Sequence, residues 1–272
     1  MTRPFVKWAG GKSQLLDRLI PKVPAQYERY VELMLGGGAF FWRLNPNSAI
    51  LNDANSELIN LYTQVKENVE GLITELGSLT VNADTYYGLR NADREPSFAE
   101  WSLLRRAART LYLNKLGFNG LYRVNKDGLF NVPFNKKTGI DFDFENLRQC
   151  SAALNKPGVT LRCGDYHALL PDLSATDFVY IDPPYLPLNN TSKFTEYTSA
   201  GFDLAEHRKL KEFCDALNER GIKFMLSNSH TTPILELFSQ YNITVLFARR
   251  SINSNGGRRG QIPEIVVTNY GH

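Results

Sequence analysis

Asp182-Pro183-Pro184-Tyr185 is the stretch of this sequence whose residue types most directly define a chemistry. It follows an apolar run at 178–181, so a strand would deliver it to that strand's carboxyl end, where open α/β sheets place ligands. Two prolines after an acid stiffen the backbone and remove two N–H donors. They leave the Pro183 carbonyl free to accept beside the Asp182 carboxylate. Two acceptors converging on one point suit an exocyclic amine, which has two hydrogens to donate, and Tyr185 offers a flat face on which a base can stack. Asp-Pro-Pro alone can be a turn; the strand before it and a glycine-rich, acidic partner region argue for a site.

That partner region is Glu32-Leu33-Met34-Leu35-Gly36-Gly37-Gly38-Ala39-Phe40-Phe41, which reads as strand, glycine turn and helix. Glycines such as Gly36 and Gly38 let a ligand lie close to the backbone. Asp53 stands 17 residues after Gly36, at the end of the next strand, where a carboxylate can accept two ribose hydroxyls. The combination marks an adenosine-binding α/β site without separating NAD from S-adenosylmethionine. Gly10-Gly11-Lys12-Ser13 resembles the end of a phosphate loop, but the first glycine of that motif is replaced by Val6. Two glycines and a lysine at a helix start still suit an anionic or carboxylate-bearing ligand.

These groups need elements to hold them. Apolar runs at 30–35, 49–51, 159–162, 178–181, 223–226, 243–247 and 265–268 predict strands, and residues 13–19, 39–44, 204–220 and 232–238 have helical spacing. Strands alternating with helices imply an α/β fold with a doubly wound, mostly parallel sheet. The last two strands, with no helical pattern between them, predict an antiparallel edge hairpin. Residues 57–116 are helical in pattern, so 56–144 reads as a helical insertion between a first part, 1–55, and a second part, 145–272, of one α/β domain.

The 272 residues are 43% hydrophobic and 22% charged, with a net charge of +3, which excludes a disordered or disulfide-stapled chain. Cys150, Cys163 and Cys214 are few and widely spaced, and the four histidines have no metal-ligand spacing, so neither a disulfide framework nor a metal is expected. No apolar run approaches the length of a membrane span, and the opening residues lack a signal-peptide core; the expected compartment is the cytoplasm. The charge is uneven. Between Trp101 and Lys137, Arg105, Arg106, Arg109, Lys115, Arg123, Lys126, Lys136 and Lys137 face one acid, Asp127, a local net charge of +7. Tyr112, Phe118, Tyr122, Phe130 and Phe134 are interleaved with them. Arg249, Arg250, Arg258 and Arg259 flank a Ser/Asn/Gly-rich stretch. A charge run is commonly a solvated helix face; mixed with aromatics and glycine-rich loops, it suits a phosphate backbone and unstacked bases.

With these motifs in view, the sequence resembles the Dam-type DNA adenine-N6 methyltransferases, the D12 class with a D-P-P-Y motif. The resemblance runs along nearly the whole chain in the family's order: Phe5-Val-Lys-Trp-Ala-Gly-Gly-Lys12, Glu32 to Phe41, Ile50-Leu-Asn-Asp-Ala-Asn55, Leu116 to Asn125, Phe130-Asn-Val-Pro-Phe134, Asp177 to Tyr185, Phe224 to Asn228, and Arg249 to Gly256. It implies a Rossmann-like methyltransferase fold with an inserted helical DNA-recognition domain, an S-adenosylmethionine cofactor, and double-stranded DNA as partner, with adenine in GATC as target. The catalytic set it implies is Asp182, Pro183, Pro184 and Tyr185. The cofactor-binding set is Trp8, Lys12, Glu32, Gly36, Gly38, Asp53, Asp165 and Asp182. The DNA-binding set is Lys7, Phe118, Asn119, Leu121, Arg123, Pro133, Asn135 and Arg249, with Arg123 the guanine reader. The enzyme is expected to act as a monomer.

The glycine motif departs from the family's usual Glu-Pro-Phe, reading Glu32-Leu33-Met34. Leucine for proline is expected to loosen the loop, so S-adenosylmethionine binding is expected to be measurable but weak. Three competing readings remain. A cytosine-N4 methyltransferase would usually open its catalytic loop with Ser instead of Asp182. An NAD-dependent dehydrogenase would want glycine in place of Phe41. A DNA-binding module with a decayed cofactor site is the third, and the Leu33-Met34 departure keeps it in view.

Overall fold

The computed structural model describes residues 2–186, 202–249 and 261–271, without the side chains of 248, 249, 261 and 262. In chain order the elements are α1 (Leu16–Leu19), β1 (Arg29–Glu32), α2 (Ala39–Leu44), β2 (Ser48–Asp53), α3 (Ser56–Glu67), α4 (Val69–Gly77), α5 (Ala83–Asn91), α6 (Leu103–Leu116), α7 (Phe144–Leu154), β3 (Gly158–Cys163), β4 (Asp177–Ile181), α8 (Leu204–Glu219), β5 (Lys223–Ser229), α9 (Thr232–Leu237), β6 (Asn242–Arg249) and β7 (Gln261–Thr268).

The seven strands form one sheet in the order β3-β2-β1-β4-β5-β7-β6. The first five are parallel, and β7 runs antiparallel to both β5 and β6. The mostly parallel sheet is the one the strand and helix alternation implies. The expected hairpin forms, but only β6 is at the edge; β7 lies inside the sheet. Burial follows position: Ile265, Val266 and Val267 are buried on both faces of the interior β7, whereas Val245 and Phe247 of the edge strand β6 remain exposed.

Side chains alternate across the sheet with period two. Tyr30, Ala49, Leu51, Phe178 and Tyr180 point to one face and join Phe40, Leu61, Leu111, Tyr112 and Leu147, from α2, α3, α6 and α7, in a single cluster. Val31, Ile50, Val179 and Ile181 point to the other face and meet Leu210, Cys214 and Ile234 from α8 and α9. Helices therefore cover both faces, as a parallel sheet requires. The helices at 56–116 build no separate core; they are packed into the cluster that covers the sheet.

Two boundaries shift. The strand expected at 30–35 ends at Glu32, because the next residues bond to different neighbours: Leu33 N donates to Tyr180 O and Leu35 N to Asn52 O. The helix expected from 13 starts at Leu16, since Leu15 N closes a turn onto Lys12 O.

Candidate active site and nucleic-acid surface

The strand order reverses between β1 and β4, so the loops that leave their carboxyl ends diverge and open a crevice. In register, Glu32 of β1 lies opposite Tyr180 of β4. The loop beginning at Asp182 thus emerges beside the loop that carries Gly36, Gly37 and Gly38, and Asp53 closes the neighbouring β2.

Asp182 has a largely buried side chain with Lys12 Nζ 2.8 Å from Oδ1, and that oxygen takes no hydrogen bond beyond this ion pair. Lys12 is 5% exposed, donates also to Gly10 O, and stands 4.4 Å from the centre of the Tyr185 ring. Burial pushes the Asp182 carboxyl up to about 6; the Lys12 ammonium opposes the rise and the Glu264 carboxylate adds to it. Tyr185 donates its hydroxyl to Glu264 Oε2 at 2.7 Å, and Ser229 Oγ donates to the carbonyl of Leu186 at 3.2 Å. Pro183 is buried and Pro184 half-buried.

Gly36 and Gly38 have φ of +51° and +64°, where a side chain would be strained. A Cβ at Gly36 would also come 2.7 Å from Trp8 Cδ1, so this turn and the N-terminal segment pack directly against each other. Asp53 accepts the amides of Gly36 and Asn55 at 2.8 and 2.9 Å, and burial raises its pKa. Glu32 is buried and accepts the Tyr30 hydroxyl at 2.7 Å. Burial, aided by the nearby carboxylates of Asp182 and Asp53, pushes its carboxyl up to about 8. Asp165, just beyond β3, is exposed; it caps the following turn by accepting the amide and ring Nδ1 of His167, both at 2.8 Å.

The loop after Glu32, which the sequence expects to be loosened, has ties of its own. Leu33 is fully buried, and its amide makes a 3.2 Å bond to Tyr180 O that a proline could not make. Met34 packs, half-buried, against the second core cluster.

Four of the eight expected DNA-facing residues line one depression, and three more lie on the neighbouring chain segment. Antiparallel bridges Gly117 to Phe134 and Val124 to Phe130 form a short hairpin, turned at Asn125, whose side chain accepts the amides of Asp127 and Leu129. Lys7, Phe118, Asn119 and Asn135 line one depression together with Lys115 and Lys137. Phe118 is 53% exposed, unusual for phenylalanine, and Arg123 and Pro133 are exposed while Leu121 is half-buried. Arg123 is held from one edge: its Nε donates to Asn131 Oδ1 at 2.7 Å and Nη2 to Asn131 O at 3.3 Å, leaving Nη1 toward solvent. Arg249 ends β6, its side chain outside the described residues, as are Arg250, Arg258 and Arg259.

The basic stretch is less free than its count of charges implies. Arg109 is 4% exposed, pairs with Asp93 at 2.8 Å and donates to the carbonyls of Leu89 and Arg90. Arg106 pairs with Glu57. Both acids lie outside 101–137, so the window that produced +7 could not include them. Arg105 covers the Trp101 ring at 3.7 Å.

Three polar groups that tie the site's loops together were not singled out in the sequence. Asn52 Nδ2 donates to Leu33 O and Gly164 O, tying the loops after β1 and β3 together. Asn114 accepts Lys7 N and donates to Lys7 O and Gly120 O, joining the N-terminal segment to the hairpin. Glu264 is the third. The signal in the sequence is slight: a polar residue inside an otherwise apolar run.

The chain is similar to known proteins along most of its length. The family model described as D12 class N6 adenine-specific DNA methyltransferase matches residues 8–252. The type II methyltransferase M1.LlaDCHI of Lactococcus lactis subsp. cremoris is 41% identical over 273 residues, 99% of this chain and 96% of that protein. The type II methyltransferase M.MjaIII of Methanocaldococcus jannaschii is 37% identical, covering 98% of this chain and 99% of its own. The DNA adenine methylase of Escherichia coli K12 is 35% identical, over 97% of this chain and 94% of its own.

Proposed function

The chain belongs to the D12 class N6 adenine-specific DNA methyltransferases, and we propose that it methylates N6 of an adenine rotated out of double-stranded DNA, within GATC, using S-adenosylmethionine. The observation that carries this reading is the pairing of Asp182 with the glycine turn at the point where the strand order reverses. The GATC target follows the resemblance to Dam-type enzymes.

S-adenosylmethionine is a cation with two ribose hydroxyls, and the donor set fits it. Carboxyl groups of Glu32, Asp53 and Asp182 stand at the carboxyl ends of three adjacent strands, all three with pKa values raised by burial and Glu32 also by the carboxylates of Asp182 and Asp53. An incoming positive charge relieves both costs. Asp53 would accept the ribose hydroxyls, Glu32, Asp165 and the Gly36–Gly38 backbone would line the same side, and Trp8 would wall it. Bound there, the cofactor supplies an electrophilic methyl group on a sulfonium.

The amine N6 is a poor nucleophile because its lone pair is delocalised into the purine, and in a duplex it is paired and stacked. Rotating the nucleotide out costs a few kcal/mol. Lys7, Asn119, Asn135 and the basic residues of the hairpin hold the backbone, and the exposed Phe118 fills the vacated space as an apolar wedge. Arg123 reads guanine O6 and N7, while Leu121 and Pro133 add apolar contacts. In the pocket Tyr185 stacks on the base. Asp182 and the Pro183 carbonyl accept the two N6 hydrogens, which localises the nitrogen lone pair. Positioning and fixed acceptors do most of this work. The surplus proton leaves through Asp182 or water.

Residues 56–144 serve in this proposal as the target-recognition insertion, with 1–55 and 145–272 as the catalytic domain, in a cytoplasmic monomer. Among the described residues no helix is long and apolar enough to cross a membrane.

The test is to incubate the protein with S-adenosylmethionine and unmethylated DNA and digest to nucleosides. N6-methyl-2′-deoxyadenosine from the native sequence, absent for Asp182→Ala, is expected. DNA that is bound but unmodified would favour the binding module instead. Methylation confined to adenines outside GATC would overturn the target.

A further inference from the structure

Tyr185 belongs to the expected catalytic loop, but the feature that orients its ring lies on a strand to which no role has been given. β5 and β7 are antiparallel neighbours, and Ser229 and Glu264 are direct partners in their register. Partners across two strands project from the same side of the sheet. Here both reach the catalytic loop. Glu264 Oε2 accepts the Tyr185 hydroxyl at 2.7 Å, and Ser229 Oγ donates to the carbonyl of the next residue, Leu186, at 3.2 Å. One cross-strand pair therefore grips two consecutive residues of the loop.

Upstream, the two prolines restrict the backbone but leave the Tyr185 side-chain torsions free. A stacking ring needs its plane fixed as well as its position. The hydroxyl is the point on the ring furthest from the backbone, so a bond there controls the plane with the longest lever. The bond is charge-assisted and partly shielded from water, which makes it one of the stronger kinds of hydrogen bond. β7 is moreover an interior strand, with Ile265 and Val267 fully buried beside Glu264, so the anchor is itself held rigidly.

We propose that Glu264 is a positioning residue for methyl transfer: through its hydrogen bond to the Tyr185 hydroxyl it sets the ring plane against which the extruded adenine stacks. This rests on the adenine-methylating reading above. Glu264 acts through Tyr185 and does not touch the reacting atoms, so its loss is felt in the chemical step and in the stacking of the base more than in capture of DNA.

The test uses the full chain and a duplex carrying the fluorescent base 2-aminopurine at the target adenine, with single-turnover methylation measured in parallel on normal duplex. Glu264→Ala and Tyr185→Phe are each expected to lower the single-turnover rate about tenfold, while KM for DNA stays within about threefold. The double variant should be no slower than the slower single variant, because both changes remove the same bond. Glu264→Gln keeps an acceptor for the hydroxyl and should recover most of the loss. The fluorescence of extruded 2-aminopurine, quenched by a stacked ring, should rise in Glu264→Ala. A native rate in either Glu264→Ala or Tyr185→Phe, additive losses, or a Gln variant as slow as the Ala variant would overturn the assignment. Denaturant unfolding of Glu264→Ala, with Tyr185→Phe as the variant that leaves β7 intact, separates misfolding from mispositioning. Failure of the native protein to form N6-methyl-2′-deoxyadenosine would instead remove the reading on which this one rests.

Discussion

Lys12 Nζ lies 2.8 Å from Asp182 Oδ1, so in the free protein a cation already holds the acceptor assigned to the adenine amine. The same ammonium stands over the Tyr185 ring, at the surface assigned to the base. The pair is nearly buried, and it sets the protonation of Asp182 against the opposing effects of burial and of Glu264.

A pH dependence follows from that balance. Only the ionised Asp182 leaves both oxygens free to accept, and its carboxyl titrates at about 6. kcat/KM, which reports the free enzyme, should therefore fall as pH drops through about 6. Lys12 favours the ionised form, so Lys12→Met should move this acidic limb to higher pH. A limb that stays in place in the variant, measured across pH 5 to 8, would contradict the coupling.

Glu32 should make the fold itself sensitive to alkali. Its carboxyl is raised from the usual 4.5 to about 8 in the folded protein. A raised pKa means that the folded state holds the proton more tightly. That stabilisation is complete below about 4.5 and is lost as pH rises through about 8. Glu32→Gln is neutral throughout, so urea unfolding at pH 6 and pH 8.5 should show the variant gaining on the native protein at the higher pH, by an amount on the order of 1–3 kcal/mol. An unchanged difference between the two pH values would show that burial does not protonate Glu32.

Arg109 and Arg123 should separate stability from recognition, although both count toward one basic stretch. Arg109 is buried on Asp93 and two carbonyls, so Arg109→Ala strips the Leu89 and Arg90 carbonyls of their donor and leaves Asp93 to Arg94 and the Phe130 amide. A loss of about 1–3 kcal/mol in denaturant unfolding is expected. Arg123 is exposed, and Arg123→Ala should leave stability within about 0.5 kcal/mol while narrowing the difference in methylation between GATC and altered sites. Unchanged discrimination would remove the guanine contact.

Leu33 tests whether the departure in the glycine motif weakens the loop. Its amide bonds to Tyr180 O, so Leu33→Pro should destabilise the protein by about 1–3 kcal/mol without tightening cofactor binding. Calorimetry on the native sequence should detect S-adenosylmethionine; no heat at millimolar cofactor would contradict a working site. Tighter binding in the proline variant would restore the view that leucine loosens this turn.

The mostly parallel sheet and the placing of Asp182 and the glycine turn at strand ends were legible in the sequence, because strand periodicity and turn chemistry are local properties. The short hairpin turned at Asn125 was not read from local pattern; it falls where the resemblance runs over Leu116 to Asn125 and Phe130 to Phe134. The tertiary structure alone decided which charges are free. Arg109 and Arg106 are matched by Asp93 and Glu57, acids remote in the chain that the packing of helices brings alongside. It also decided that Glu264 meets Tyr185 across 79 residues, and that Asn114 joins Lys7 to Gly120. Hydrophobic patterning specifies which face of an element is buried. It carries no information on which remote polar group will arrive within the three or so ångströms that a hydrogen bond or ion pair requires.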